Sequence, residues 1–120
     1  MKKVLIIDDD PDILESISLV LRYSGFEPKT KENIENLPEV IRAFNPDIIL
    51  LDIFLGTADG TEVCKSLKNY PSTQNIPVLM ISAHAKAAEV MENCPANGFL
   101  AKPFDIDDLI AQVNILIANN

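Results

Sequence analysis

Apolar residues in this chain follow two alternating patterns. Val4–Ile7, Asp47–Ile53 and Pro77–Ser82 are short, nearly unbroken apolar runs bounded by polar residues or proline. Such runs predict strands buried on both faces. Phe26–Thr30 and Gly98–Ala101 give a fainter version of the same signal. Between the runs, apolar residues recur every three or four positions. Ile13, Leu14, Ile17, Val20 and Leu21 make one helical stripe, with Asp10 as N-cap, Pro11 at the first position and Gly25 at the end. Pro38 would break the interior of a long helix, so the second helix is placed from about Leu37, with Asn36 as its cap. Thr61–Asn69 and Ala85–Asn93 read as two more short helices. Asp105 caps a last one, whose buried side carries Leu109, Ile110, Val113, Leu116 and Ile117.

Strand and helix alternate five times, which predicts an α/β fold with a parallel sheet covered by helices on both faces. A length of 120 residues suits one domain, 1–120, and no repeat, low-complexity tract or linker interrupts it. In such sheets ligands bind beyond the carboxyl ends of the strands, where strand order reverses. Here the first strand ends at Asp8 and Asp9, the third at Asp52, the fourth at Ser82 and the fifth at Lys102. Three carboxylates, a hydroxyl and an amine should meet on one rim.

Charge and cysteine content narrow the reading. The formal net charge is −8, which argues against non-specific attraction to nucleic acid or an anionic membrane and suits a cation or a basic partner. Cys64 and Cys94 stand apart, with no close Cys or His spacing, so neither a zinc site nor a disulfide framework is expected. Two buried thiols in a reducing compartment are the simpler expectation. The longest apolar run, Ile48 to Leu51, is far too short to span a bilayer. A soluble cytoplasmic protein is expected.

Three carboxylates in one cleft raise one another's pKa unless a cation joins them. Mg²⁺ prefers oxygen ligands and is typically held by one or two carboxylates plus phosphate oxygens. Lys102 adds a positive charge and Ser82 a hydrogen-bond donor. Phosphoryl transfer to an Asp needs little beyond positioning and charge neutralisation, so the inventory suits it. Each residue alone has a plainer role: Asp10 as a helix cap, Asp8 or Asp9 as a turn residue, Ser82 as an ordinary strand end, Lys102 as a solvated loop lysine. Other anion or metal sites use the same groups. The weight lies on their joint placement.

The segments VLIIDDDPDILESI, PDIILLDIFLGTADGTEVCKSLK, PVLMISAH and GFLAKPFD, in this order, resemble the receiver domains of bacterial two-component response regulators. The resemblance runs from Lys3 to about Ala118. It implies a doubly wound, flavodoxin-like fold with strand order 2-1-3-4-5. It also implies that Asp52 is the phosphoacceptor and that Asp8 and Asp9 hold Mg²⁺ together with Asp52 and the backbone carbonyl of Phe54. Ser82 is similar to the switch hydroxyl, Lys102 to the lysine that bridges to the phosphoryl group, and Phe99 to the aromatic rotamer switch. The Lys102–Pro103 bond matches the one that is cis in the family. By this resemblance the chain is not a turnover enzyme. It takes a phosphoryl group from a sensor histidine kinase or histidine phosphotransfer domain and later hydrolyses it. It signals to a downstream protein through 86–93, 98–101 and 105–118, and is a monomer when unphosphorylated.

Some positions depart from the family pattern. Leu55-Gly56 stands where a Met-Pro pair is common, which frees the loop after Asp52, and Pro95 replaces a common Gly. Phe54 and His84 occupy positions that tune hydrolysis in relatives, and Phe99 lacks the hydroxyl of a Tyr. Asp8-Asp9-Asp10 also contains the Asp-x-Asp of haloacid-dehalogenase-like phosphatases. Asp12 and the short chain speak against that reading. An unphosphorylated interaction module of the same fold is the other rival. A nucleotide-binding domain is poorer, for want of a Gly-rich loop after the first strand. The chain reads as either a stand-alone receiver or a piece of a longer regulator or hybrid kinase.

Overall fold

A computed structural model describes residues 1–83, 92 and 94–119. The elements, in chain order, are β1 (Lys3–Ile7), α1 (Pro11–Tyr23), β2 (Glu27–Lys31), α2 (Leu37–Phe44), β3 (Ile48–Asp52), β4 (Phe54–Leu55), β5 (Ala58–Asp59), α3 (Gly60–Asn69), β6 (Val78–Ser82), β7 (Gly98–Ala101) and a C-terminal helix, Ile106–Ala118. The helix expected over Ala85–Asn93 lies outside the described residues, apart from Glu92.

Five strands form one parallel sheet in the order β2-β1-β3-β6-β7. Counting only these five, the order is the expected 2-1-3-4-5. The apolar runs explain it. Every residue of β3 and β6 is buried, as a central strand covered on both faces requires. Only β2, at the edge, is mostly polar, and its Pro28, Lys29 and Lys31 discourage pairing with another chain.

Side-chain alternation divides the core into two layers. Leu5, Ile7, Ile49, Leu51, Val78 and Met80 face α2 and α3, where Leu37, Ile41, Cys64 and Leu67 close over them. Val4, Ile6, Ile48, Leu50, Leu79 and Ile81 face the other way, against Leu14, Ile17 and Leu21 of α1 and Leu109 and Val113 of the C-terminal helix. Fully burying each such side chain stabilises the fold by about 1.5–3 kcal/mol.

Helix starts follow local chemistry, with two exceptions. Asp10 caps α1, its Oδ1 accepting from the Asp12 amide at 2.9 Å, with Pro11 next, and Gly25 takes φ +89° beyond the helix. Asn36 does precede α2, but it adopts left-handed φ 55° and its side chain makes no capping bond. Asp105 likewise precedes its helix without a side-chain bond.

Chain direction at β1 fixes the site. The path leaves β1 for β2 on one side and returns to β3 on the other, so the crevice at the carboxyl ends opens between β1 and β3.

Candidate functional site

Asp8 follows the last residue of β1, and Asp52 is the last residue of β3. Strand pairing sets Ile7 beside Leu51 and Asp52 beside Ile81, so both carboxylates and Ser82 reach the same rim. Asp8 is fully buried and Asp52 is 7 % exposed. Asp9 is exposed. One oxygen from each of the three lies within 4.8 Å of the others.

Lys102 joins them from the end of β7. Its Nζ donates to Asp8 Oδ2 at 2.8 Å and lies 3.5 Å from Asp52 Oδ2. The backbone holds this lysine in place: its amide donates to the Ser82 carbonyl at 2.8 Å. The Lys102–Pro103 peptide is cis. Asp8 is also fixed from the other side, its Oδ1 accepting from the Asp10 amide at 3.0 Å.

These neighbours leave opposite marks on acid and base. Burial, and then the Asp8 charge, push the Asp52 carboxyl above its ordinary range, although Lys102 and the Phe54 amide pull the other way. For Lys102, burial alone would favour the neutral amine. The Asp8 hydrogen bond and the Asp52 and Asp8 charges overcome it and raise the ammonium's pKa.

The loop after β3 supplies features that the sequence reading missed. Phe54-Leu55 and Ala58-Asp59 pair as a small antiparallel hairpin across Gly56, which takes φ +61°. Gly56 donates its amide to Asp9 Oδ2 at 3.0 Å, so the Leu55-Gly56 departure is what pins Asp9. Asp59 then caps α3, Oδ1 accepting from the Thr61 amide at 2.9 Å and from Thr61 Oγ1 at 2.6 Å. A Cβ on Gly60 would meet the Asp52 carbonyl oxygen at 2.1 Å, so the helix start presses directly behind the acidic residue. Asp-Gly before a helical stripe was the available signal.

Of the remaining expected positions, Ser82 is buried at the end of β6 and Phe54 is 42 % exposed beside the crevice. The Phe54 amide donates to Asp52 Oδ1 at 3.3 Å. Phe99, opposite Met80, is half-buried against the layer shared by α2 and α3. His84 lies outside the described residues.

The donor set fits a hard divalent cation. Its donor atoms are all carboxylate oxygens, two of the three acids are buried, and burial, then the Asp8 charge, keeps Asp52 from ionising easily.

A family model described as the response regulator receiver domain matches residues 4–114. The chain belongs to this family. It is a receiver of two-component signal transduction. Relatives include the nisin biosynthesis regulatory protein NisR of Lactococcus lactis, 35 % identical over 92 % of this chain and 48 % of the relative. Another is the DNA-binding dual master transcriptional regulator RpaA of Synechocystis, 33 % identical over 98 % of this chain and 49 % of the relative. The receiver spans about half the length of these curated relatives. A response regulator structure from Chloroflexus aurantiacus superposes with a TM-score of 0.89 at 32 % identity, covering 98 % of each chain. The receiver domain of a histidine kinase from Syntrophus aciditrophicus gives a TM-score of 0.90 at 25 % identity, over 99 % of this chain and 92 % of that one. Among the described residues, no helix of this receiver is long and apolar enough to cross a membrane.

Proposed function

We propose that Asp52 accepts a phosphoryl group from a phosphohistidine on a sensor kinase or histidine phosphotransfer domain, in a Mg²⁺-dependent reaction. An Asp52 carboxylate oxygen attacks phosphorus, the P–N bond breaks, and its electron pair stays on the imidazole, which takes a proton from solvent. Water later attacks the acyl phosphate and returns Asp52 to a carboxylate. The observation that carries this reading is a buried acid at the end of a central strand, 3.5 Å from an ammonium and within ion-holding distance of two further carboxylates.

Asp8, Asp9, Asp52 and the Phe54 carbonyl would hold Mg²⁺. When bound, the ion neutralises carboxylate and phosphoryl charge. Lys102, now tied to Asp8, would turn its ammonium to a phosphoryl oxygen. Ser82 would hydrogen-bond another. Its approach and an inward turn of Phe99 shift the population toward a form with a changed face over 98–101 and 105–118. A downstream protein reads that face. The net charge of −8 favours protein contact over direct binding to nucleic acid.

Intact mass after incubation with acetyl phosphate, with and without Mg²⁺, tests the reading on the wild type and Asp52→Asn. A single Mg²⁺-dependent phosphoryl adduct, absent from the variant, is expected. A wild type that stays unmodified and shows no stability shift with beryllofluoride would leave an interaction module of receiver fold.

A further inference from the structure

Each of the three acids in the crevice keeps one carboxylate oxygen on a backbone amide. Asp8 Oδ1 accepts from the Asp10 amide at 3.0 Å, and Asp52 Oδ1 from the Phe54 amide at 3.3 Å. Both bonds are local, made two residues along the chain. Asp9 differs. Its Oδ2 accepts at 3.0 Å from the amide of Gly56, 47 residues away.

The fold holds the donor of that bond in place. Gly56 is the first of two turn residues between the paired Leu55 and Ala58, at φ +61°, a position and sign that favour glycine in a tight hairpin. Leu55 is buried in the layer under α2 and α3, and Asp59, at the far end of the hairpin, caps α3. Asp9 itself is exposed, and repulsion from two neighbouring carboxylates would swing a free aspartate toward solvent. The Gly56 amide opposes that swing. Proline, common at this place in the family pattern, has no N–H to offer.

Tying one oxygen to an amide decides how many the ion receives. Mg²⁺ takes single oxygens at about 2.0–2.1 Å in near-octahedral geometry, whereas Ca²⁺ gathers roughly six to eight at longer range and accepts both oxygens of one carboxylate. In this crevice each acid has one oxygen occupied. The other oxygen of Asp8 and of Asp52 already faces a positive charge, the Lys102 ammonium. The arrangement is one of three single-oxygen ligands, and only for Asp9 does it depend on a distant loop.

We propose that the Gly56 amide is a specificity-determining group of the metal site: by occupying Asp9 Oδ2 it limits Asp9 to one ligand oxygen, and the crevice thereby selects Mg²⁺ over Ca²⁺. Gly56 acts through Asp9 and is a positioning residue. The inference rests on the divalent-ion reading above and adds the choice of ion.

Calorimetric titration of the folded chain with Mg²⁺ and, separately, with Ca²⁺ tests it on the wild type, Gly56→Ala and Gly56→Pro. Gly56→Ala keeps the N–H, and its Cβ would meet Asp9 Oδ2 at 3.9 Å, an ordinary contact. It should lower stability, because a residue with a Cβ is strained at φ +61°, yet keep the preference for Mg²⁺. Gly56→Pro removes the donor and should weaken Mg²⁺ binding by roughly 10-fold or more, as loss of an outer partner of a metal ligand does. Ca²⁺ binding should stay as tight or tighten, so the preference collapses. A Gly56→Pro protein with the wild-type ratio of affinities overturns the proposal. So does a wild type that binds both ions equally, and that result leaves the Mg²⁺ reading standing. A wild type that binds neither ion overturns both.

A second measurement needs no variant to fold. Hydrogen exchange followed by NMR at the Gly56 amide should be slow in the Mg²⁺-bound wild type and fast in the Ca²⁺-bound one, since an ion that claims both Asp9 oxygens breaks the bond. Equal protection in the two forms overturns the proposal.

Discussion

At Asp52, burial and the Asp8 charge act against ionisation while Lys102 acts for it, and the first two prevail. An acid with a raised folded-state pKa stabilises the fold below its unfolded value and loses that contribution as pH rises through the folded value. Without divalent ions, the contribution of Asp52 should therefore be lost as pH rises from 3.8 through its elevated midpoint. Asp52→Asn should be more stable than wild type at neutral pH, by about 1.4 kcal/mol for each pH unit of that elevation. The advantage should vanish in acid, and urea titrations across pH would show it. Lys102 follows the same pH sense for a different reason, its charged form being favoured: the pair with Asp8 contributes fully below pH 10.5 and fades as pH rises through the elevated value. Lys102→Met leaves Asp8 buried without its cation and should cost about 3–5 kcal/mol. Thermal melts should show part of that loss recovered by Mg²⁺. Both acids and this lysine were legible in the sequence because each ends a strand. Which of them is buried was not, since three consecutive Asp residues look alike until Asp8 turns inward and Asp9 outward.

Elements were legible in proportion to the length of their patterns. Fully buried β3 and β6 came through within one or two residues, because only a covered central strand tolerates an unbroken apolar run. The β4–β5 hairpin escaped, since two-residue strands carry no periodicity. Asn36 stands where a cap was expected but works through its left-handed backbone, a choice hidden from any side-chain pattern. The start of α3 makes the sharpest demand. Gly60→Ala places a methyl against the backbone of Asp52 and Ile53, where nothing flexible can yield. It should cost at least the roughly 1–3 kcal/mol of an overpacked core, read from denaturant midpoints. It should also slow phosphorylation by displacing Asp52, unlike Asp59→Ala, which removes only a cap worth about 1 kcal/mol.

Across the whole molecule, a net charge of −8 and an acidic crevice make cations stabilising in two separable ways. NaCl should raise the melting temperature gradually by screening self-repulsion. Millimolar Mg²⁺ should raise it further than NaCl of equal ionic strength, and Asp9→Asn should erase most of that excess. Equal effects of the two salts would argue against a specific site. Membership of the two layers belongs to this scale too. It depends on which helix crosses which face, and chain spacing alone does not disclose that.

The order of strands also sets a schedule. Because β1 lies between β2 and β3, the first half of the chain already contains three adjacent strands when it leaves the ribosome. That half-sheet holds Asp8 and Asp52 before any of β6, β7 or Lys102 has been made. It has an open apolar flank along β3 and two acids with no ammonium between them. The late strands close the flank and deliver the counter-charge together. A nascent chain halted short of Lys102 should therefore remain protease-sensitive and chaperone-bound, and release should come abruptly once β7 docks.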